Sequence, residues 1–236
     1  MSLAGTRLLI VGGTRGIGRA TAVAALAAGA RVTATGRRAE SLATLPEGVV
    51  GALLDFTDPA SVAALAEGLD ALDHLVLSAS DAVAWGGFAE VTEAALRAAF
   101  DAKFWGYWRV ARALAPKLPV HGSITLVTGA AARAALPGTS GLAAVNGAIE
   151  AMARVLAVEL APRRVNTVSP GMTATEAYAR LPDEARKGMF AATAAKLPAG
   201  RIGAPQDIAQ AILLAAANPF LTGATLDVDG GAHLAR

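Results

Sequence analysis

The sequence predicts a doubly wound α/β fold, with a seven-stranded parallel sheet flanked by helices in a single domain spanning 1-236. Three observations lead there. Short β-rich runs alternate with longer Ala-rich helical ones along the whole chain. Several short runs, "LLIV" and "HLVL" among them, are apolar on both faces, as strands covered on both sides of a parallel sheet must be. Finally, 236 residues with 54% apolar side chains suffice for one sizeable core.

The strands are expected at Arg7–Val11, Arg31–Thr35, Val49–Leu53, His74–Ala79, Ser123–Thr128, Arg164–Val168 and Ala224–Val228. Helices between them supply right-handed crossovers. No repeat or linker interrupts the pattern. One irregular stretch, at about 172-203, mixes polarity with prolines and reads as a mobile helical flap over a small-molecule substrate.

Composition narrows the function. Cysteine is absent, which excludes disulfides and thiolate metal sites. No apolar run reaches the roughly 18 residues of a membrane span, and the N-terminus lacks the pattern of a signal peptide. A cytoplasmic protein without a membrane partner is expected. The net charge is only +2 and the basic residues are scattered, which argues against nucleic acid. His74, His121 and His233 stand without acidic residues at ligand-like spacing, so no metal site is expected.

"VGGTRGIG", Val11–Gly18, lies at a strand-to-helix junction. Glycines at Gly12, Gly16 and Gly18 let the backbone turn tightly and let a diphosphate approach the N–H groups of a helix N-terminus. A tight turn with close strand–helix packing needs the same glycines, and this simpler reading stands beside the first.

Together with "LLDFTD", "RVNTVSPGMTAT" and the C-terminal "GRIGAPQDIAQAILLAAANPFLTGATLDVDGG", this stretch resembles the short-chain dehydrogenase/reductase family nearly end to end. The resemblance implies a Rossmann fold whose phosphate turn includes Thr14, Arg15 and Ile17. It implies that Asp55 and Phe56 lie at the adenine, and that Ser78, Ala79 and Ser80 pass beneath a ribose. Pro170, Gly171, Thr173 and Thr175 would meet the nicotinamide half. "LSAS" departs from the family's N-N-A-G, which leaves the contacts of Ser78 to Ser80 open. The family also implies a homodimer or homotetramer.

The choice of nicotinamide cofactor depends on charge at the end of the second strand. An acidic residue there would bind the 2′-hydroxyl of NAD; this chain has Gly36, followed by Arg37 and Arg38, with Arg15 in the glycine turn. Three guanidiniums suit a 2′-phosphate, so NADP(H) is the expected cofactor. The alternative is that these arginines form a solvated loop face.

The family's serine, tyrosine and lysine align with Gly129, Leu142 and Asn146, and no Tyr-x-x-x-Lys occurs anywhere in the chain. The resemblance therefore describes a divergent member lacking the usual general acid. The family's fourth active residue, an asparagine, aligns with Lys103, as though Asn and Lys had changed places. Independently, Lys103 interrupts an apolar helical stripe of Leu96, Phe100, Tyr107, Val110 and Leu114. Asn146 similarly lies in the arc of Leu142, Ile149 and Ala153. We read Lys103 as a catalytic candidate and Asn146 as a ribose ligand; the alternative is a snorkelling lysine and a satisfied core amide. Thr128 is a second catalytic candidate, with Ser140 and Asp81 weaker ones. Two functions remain open: an NADP(H)-dependent oxidoreductase acting on a small carbonyl, alcohol or imine, or a catalytically inactive nucleotide-binding protein with a sensing or structural role.

Overall fold

The computed structural model describes residues 3–79 and 84–234. Ser80 and Asp81, both named above, lie outside the described residues. Seven strands form one parallel sheet: β1 (Arg7–Val11), β2 (Arg31–Gly36), β3 (Val49–Leu53), β4 (His74–Leu77), β5 (Ser123–Val127), β6 (Arg164–Pro170) and β7 (Thr225–Val228). Their spatial order is β3-β2-β1-β4-β5-β6-β7. The chain therefore reverses its direction of progress between β1 and β4, where doubly wound sheets open a crevice at the carboxyl ends of the strands.

The strands follow the sequence-based expectation except at their ends. β4 and β5 stop at Leu77 and Val127, two residues and one residue early, because Ser78, Ala79 and Thr128 leave the ladder at the sheet's carboxyl edge. β6 runs on to Pro170, pairing with β7 through Val228.

The period-2 alternation of a strand divides the apolar residues between two layers. Leu9 and Val11 of β1 join Leu75, Leu77, Ile124 and Leu126 on one face. This layer packs against α3 (Pro59–Gly68), α5 (Gly106–Leu114) and α6 (Ser140–Glu159). Leu8 and Ile10 face the other way, with Val32 and Val76, against α1 (Gly16–Ala27) and α8 (Pro205–Ala217). Each fully buried Leu or Ile contributes roughly 1.5–3 kcal/mol.

Two elements differ from expectation. The apolar stripe around Lys103 is not one regular helix: α4 (Glu93–Ala99) passes through a π-helical segment at Phe100–Trp105 before α5 begins. The wider turn inserts extra backbone at Lys103 while keeping Lys103, Tyr107, Val110 and Leu114 on the buried side. Short π segments cost hydrogen-bond quality and recur where a side chain must be re-aimed.

The second difference is α6. At 20 residues with a mean hydropathy of 1.4 it is long and apolar enough to cross a membrane by length and composition, contrary to the expectation that no stretch reaches that threshold. Here its inner face packs on the sheet and buries Asn146 and Glu150 alongside Val145, Ile149 and Ala153, so its apolarity serves the core.

Residues 172–203 contain a 3-10 turn, Glu176–Tyr178, and the helix α7 (Asp183–Ala194), which has no buried residue along its length among the described residues. The ends of this segment are tied together: Thr173 and Gly203 form a β-bridge, and Gly203 N–H donates to the Met172 carbonyl at 2.9 Å.

Candidate active site

The glycine turn forms a cradle. Gly12 and Gly16 have φ of +82° and +54°, a region that side chains other than glycine rarely adopt. A Cβ at Gly18 would stand 2.1 Å from the Gly12 carbonyl oxygen, and one at Gly12 would stand 2.7 Å from the Ala79 backbone. The sequence places glycine where backbone meets backbone. Arg15, the N-cap of α1, provides no side-chain acceptor, and the first turn of α1 holds no acid. The positive end of its dipole therefore faces no acid from its own first turn and favours an anion there.

A cavity of about 270 Å³ opens over this turn. Gly12, Thr14, Arg15, Gly16, Ile17 and Gly18 form one wall. Arg37, Phe56, Ser78, Ala79 and Thr175 complete it with Thr35, Gly36, Leu54, Glu176 and Ala177. Arg38 caps α2 (Ala39–Leu42) and is exposed just beyond. Asp55 is next to the cavity, and its carboxyl accepts from the hydroxyl and N–H of Thr57 at 2.6 and 2.9 Å. The Thr57 hydroxyl holds the Asp55 pKa below the usual carboxylate range, with Arg37 adding to the effect.

Gly36 is fixed by packing. A Cβ there would meet Thr14 Cγ2 at 2.8 Å and Ser41 Oγ at 2.9 Å, so an acidic side chain could enter only if its neighbours moved. The same glycine that brings Thr14 close also keeps negative charge out. These features fit a nicotinamide dinucleotide: a cradle that Cβ atoms would fill, a helix N-terminus facing it, and a glycine in place of an acidic residue at the end of β2, with Arg37 and Arg38 following.

Sequence reasoning missed one residue here. Glu176, from the 3-10 turn of the flap, accepts from Gly16 N–H at 2.9 Å. A carboxylate thus occupies a donor that a diphosphate would use. Its only sequence signal was its position directly after Thr175.

The second half of the site lies past the carboxyl end of β5. Lys103 Nζ, in the π segment, donates to Asn146 Oδ1 at 2.7 Å and to the Thr128 carbonyl at 3.1 Å. Lys103 is 8% and Asn146 6% exposed. Burial lowers the Lys103 pKa to about 8, with Glu150 acting in the opposite sense. A snorkelling lysine would reach solvent; this one is turned inward.

Gly129 makes room for the amide, since a Cβ there would stand 3.0 Å from Asn146 Nδ2. Leu142 is half-buried one turn before Asn146, and Ser140 is exposed at the start of α6.

The expectation for Thr128 needs correction. Its hydroxyl is turned inward, donating to Glu150 Oε1 at 3.0 Å, with the Val168 carbonyl at 3.3 Å. What Thr128 offers Lys103 is its carbonyl, because the end of β5 directs the side chain into the layer beneath α6. Tyr107 is likewise unsuited to replace the family's acid. It is buried, its hydroxyl lies within hydrogen-bond reach of the Ala79 and Val127 carbonyls, and burial raises its pKa further.

Glu150 also escaped the sequence reading. It is 5% exposed, four residues after Asn146 on the same helical face, and that spacing was its available signal.

Pro170 and Gly171 close β6, where a Cβ at Gly171 would stand 2.6 Å from Asp229 Cα. Thr173 is buried and donates to the Gly171 carbonyl at 3.0 Å. These residues and Asn146 lie outside the walls of the 270 Å³ cavity.

The expectation about histidines also changes. His233 has an acid at close spacing: its ring nitrogen is 2.7 Å from Asp229 Oδ2, and ligand atoms of Asp227, Asp229 and His233 lie within 4.8 Å of one another. These groups already have partners. Asp229 accepts from Gly231 and His233 N–H, and Asp227 pairs with Arg133, so they fasten the C-terminal segment.

Comparison with known proteins agrees with this architecture. A family model described as Enoyl-(Acyl carrier protein) reductase matches residues 11–233. D-erythrulose reductase of Gallus gallus is 32% identical over 98% of this chain and 97% of its own length. L-xylulose reductase of Mus musculus is 30% identical, with 98% of each chain covered. A solved small-chain dehydrogenase in complex with NADPH is 37% identical, covers 98% of this chain and 99% of its own, and superposes with a TM-score of 0.84.

Proposed function

Because the chain belongs to the short-chain dehydrogenase/reductase family, we propose that it is an NADP(H)-dependent oxidoreductase acting on a small carbonyl, alcohol or imine, and a divergent member that works without the family's Ser-Tyr-Lys set. The observation that carries this reading is the buried ammonium of Lys103 held on Asn146 at the carboxyl edge of a sheet whose glycine cradle suits a dinucleotide.

When bound, the cofactor supplies or accepts the hydride. The chain does the rest. The N–H groups of α1 bind the diphosphate, and Arg15, Arg37 and Arg38 recognise the 2′-phosphate. The Asn146 amide, oriented by Lys103, donates toward the ribose. Lys103 holds a proton at Nζ, and its lowered pKa of about 8 makes it a better acid at neutral pH than an ordinary lysine. For a carbonyl, that proton goes to the oxygen as hydride reaches the carbon. An iminium needs no acid, since hydride addition alone neutralises it.

The relatives that are named for ketose reduction make small polyhydroxy ketones a rational first panel. Stopped-flow mixing of the NADPH-loaded protein with D-erythrulose, L-xylulose and cyclic imines should show loss of reduced-cofactor absorbance with at least one of them. Inert behaviour toward the entire panel would favour the nucleotide-binding reading without catalysis.

We further propose association into dimers or tetramers. The π segment, α5 and α6 expose Trp105, Trp108, Val155 and Val158, and a groove of about 520 Å³ lined by Trp108, Met152 and Leu156 runs between the two helices. Light scattering should return a mass at least twice 23.6 kDa.

A further inference from the structure

Among the described residues, the buried formal charges are those of Lys103, Glu150, Arg164 and Asp229. Two have partners elsewhere. Arg164 donates to the carbonyls of Ala215, Ala216 and Leu221. Asp229 accepts from Gly231 N–H, His233 N–H and the His233 ring. Lys103 and Glu150 are joined through Thr128, whose carbonyl accepts from the ammonium and whose hydroxyl donates to the carboxylate.

Both hydrogen-bond acceptors of Lys103, Asn146 Oδ1 and the Thr128 carbonyl, are neutral. An ammonium removed from water with no counter-charge loses several kcal/mol of solvation, or gives up its proton. Glu150 is the carboxylate placed to prevent this. Its second oxygen lies 3.8 Å from Arg133 Nη1, and the other terminal nitrogen of Arg133 is bonded to Asp227. The charges alternate from the core to the surface: Lys103, Glu150, Arg133, Asp227.

We propose that Glu150 is the positioning residue of Lys103, holding it through Thr128 and keeping it protonated, while Arg133 competes for the same carboxylate and Asp227 draws Arg133 away. The inference rests on the reading of Lys103 as the proton source. In that step an N–H bond of Lys103 breaks, an O–H bond forms on the substrate, and a neutral amine remains. Glu150 then favours reloading of the amine from solvent. Among the described residues, the charged group acting on the ammonium is Glu150 of α6; the Tyr107 ring of α5 lies 5.9 Å from it, and Arg133, in the turn after β5, reaches Glu150 rather than the ammonium.

The test reads the amine itself. The chain has four lysines, Lys103, Lys117, Lys187 and Lys196, so 13Cε-lysine labelling gives a simple NMR spectrum in which Lys103→Met identifies the Lys103 signal. The full chain is titrated without cofactor or substrate. Glu150→Gln keeps an acceptor for Thr128 and should lower the Lys103 midpoint by about one pH unit, a tenfold loss of proton affinity. Arg133→Gln removes the competitor and should raise it. An unchanged midpoint in Glu150→Gln, or a fall in Arg133→Gln, overturns the proposal; if Glu150→Gln does not fold, the sign in Arg133→Gln decides alone. Midpoints that move as expected while no compound oxidises NADPH would leave the pairing intact and remove the oxidoreductase reading. Midpoints that ignore both variants while carbonyls are reduced would do the reverse.

Discussion

The carboxyl edge of the sheet has two halves built in different ways. Over β1 and β2 the site is made of backbone: a Cβ at Gly12, Gly18 or Gly36 would collide with a neighbouring atom, Gly16 holds a positive φ, and the groups offered are helix N–H donors. Over β5 and α6 it is made of side chains: Lys103, Asn146, Thr128 and Glu150 are buried and polar, and each depends on the others for its partners. The first half tolerates almost no change in shape. The second depends on balanced charge and hydrogen bonding, with Lys103 held by Asn146 and the Thr128 carbonyl and Glu150 by the Thr128 hydroxyl.

The largest expected effect breaks the backbone half. Gly18→Ala would force a Cβ to within 2.1 Å of the Gly12 carbonyl and open the turn. Overpacking of this kind costs roughly 1–3 kcal/mol of stability. NADPH affinity should fall by at least about 100-fold, or about 2.7 kcal/mol. Calorimetry with NADPH and a thermal melt check both.

Next comes the pH dependence of the side-chain half. The Lys103 pKa is lowered from 10.5 to about 8 on folding, so between those values the unfolded chain binds more protons than the folded one. The contribution of Lys103 to stability therefore rises with pH across that window, by about 3 kcal/mol at most. It is fully unfavourable below pH 8. Denaturant unfolding from pH 7 to 10 should show this slope in the parent protein and its loss in Lys103→Met. Parallel curves would mean that folding leaves the proton affinity of the amine unchanged.

The Lys103–Asn146 bond sharpens the same point. Lys103→Met, Asn146→Leu and the double variant should show a coupling energy of about 0.5–3 kcal/mol in NADPH affinity, whereas independent sites add within about 0.3–0.5. For the arginines, Arg37→Ala with Arg38→Ala should weaken NADPH binding about tenfold, or about 1.4 kcal/mol, and leave NADH nearly unchanged. The smallest effect concerns Glu176, which must leave Gly16 N–H before a diphosphate can take it. Glu176→Gln should raise NADPH affinity by up to about fivefold, equivalent to about 1 kcal/mol of charge at a helix N-terminus. A decrease would mean that the flap carboxylate helps binding instead.

The same contrast explains what the sequence disclosed. Strand runs such as "LLIV" and "HLVL" announce a buried sheet because both faces must be apolar, and the glycine turn announces itself because no other residue fits. Lys103 and Asn146 stood out as polar breaks in apolar arcs. Glu150 did not, because one glutamate among many reads as a solvated charge until α6 is laid on the sheet. The inward Thr128 hydroxyl, the Glu176 contact and the π segment at Phe100–Trp105 depend on where other elements pass, and Asp229 meets His233 only because the C-terminal segment turns back on itself.

The central claim is that Lys103 replaces the family's missing acid. Single-turnover oxidation of bound NADPH, followed from pH 6 to 10 with one ketose and one N-alkylated cyclic iminium in parent and Lys103→Met, tests it most directly. The account predicts that ketose reduction falls as pH rises through about 8 and drops at least about 100-fold in Lys103→Met, as loss of a general acid does, while iminium reduction changes little. Ketose reduction that persists unchanged in Lys103→Met would contradict it.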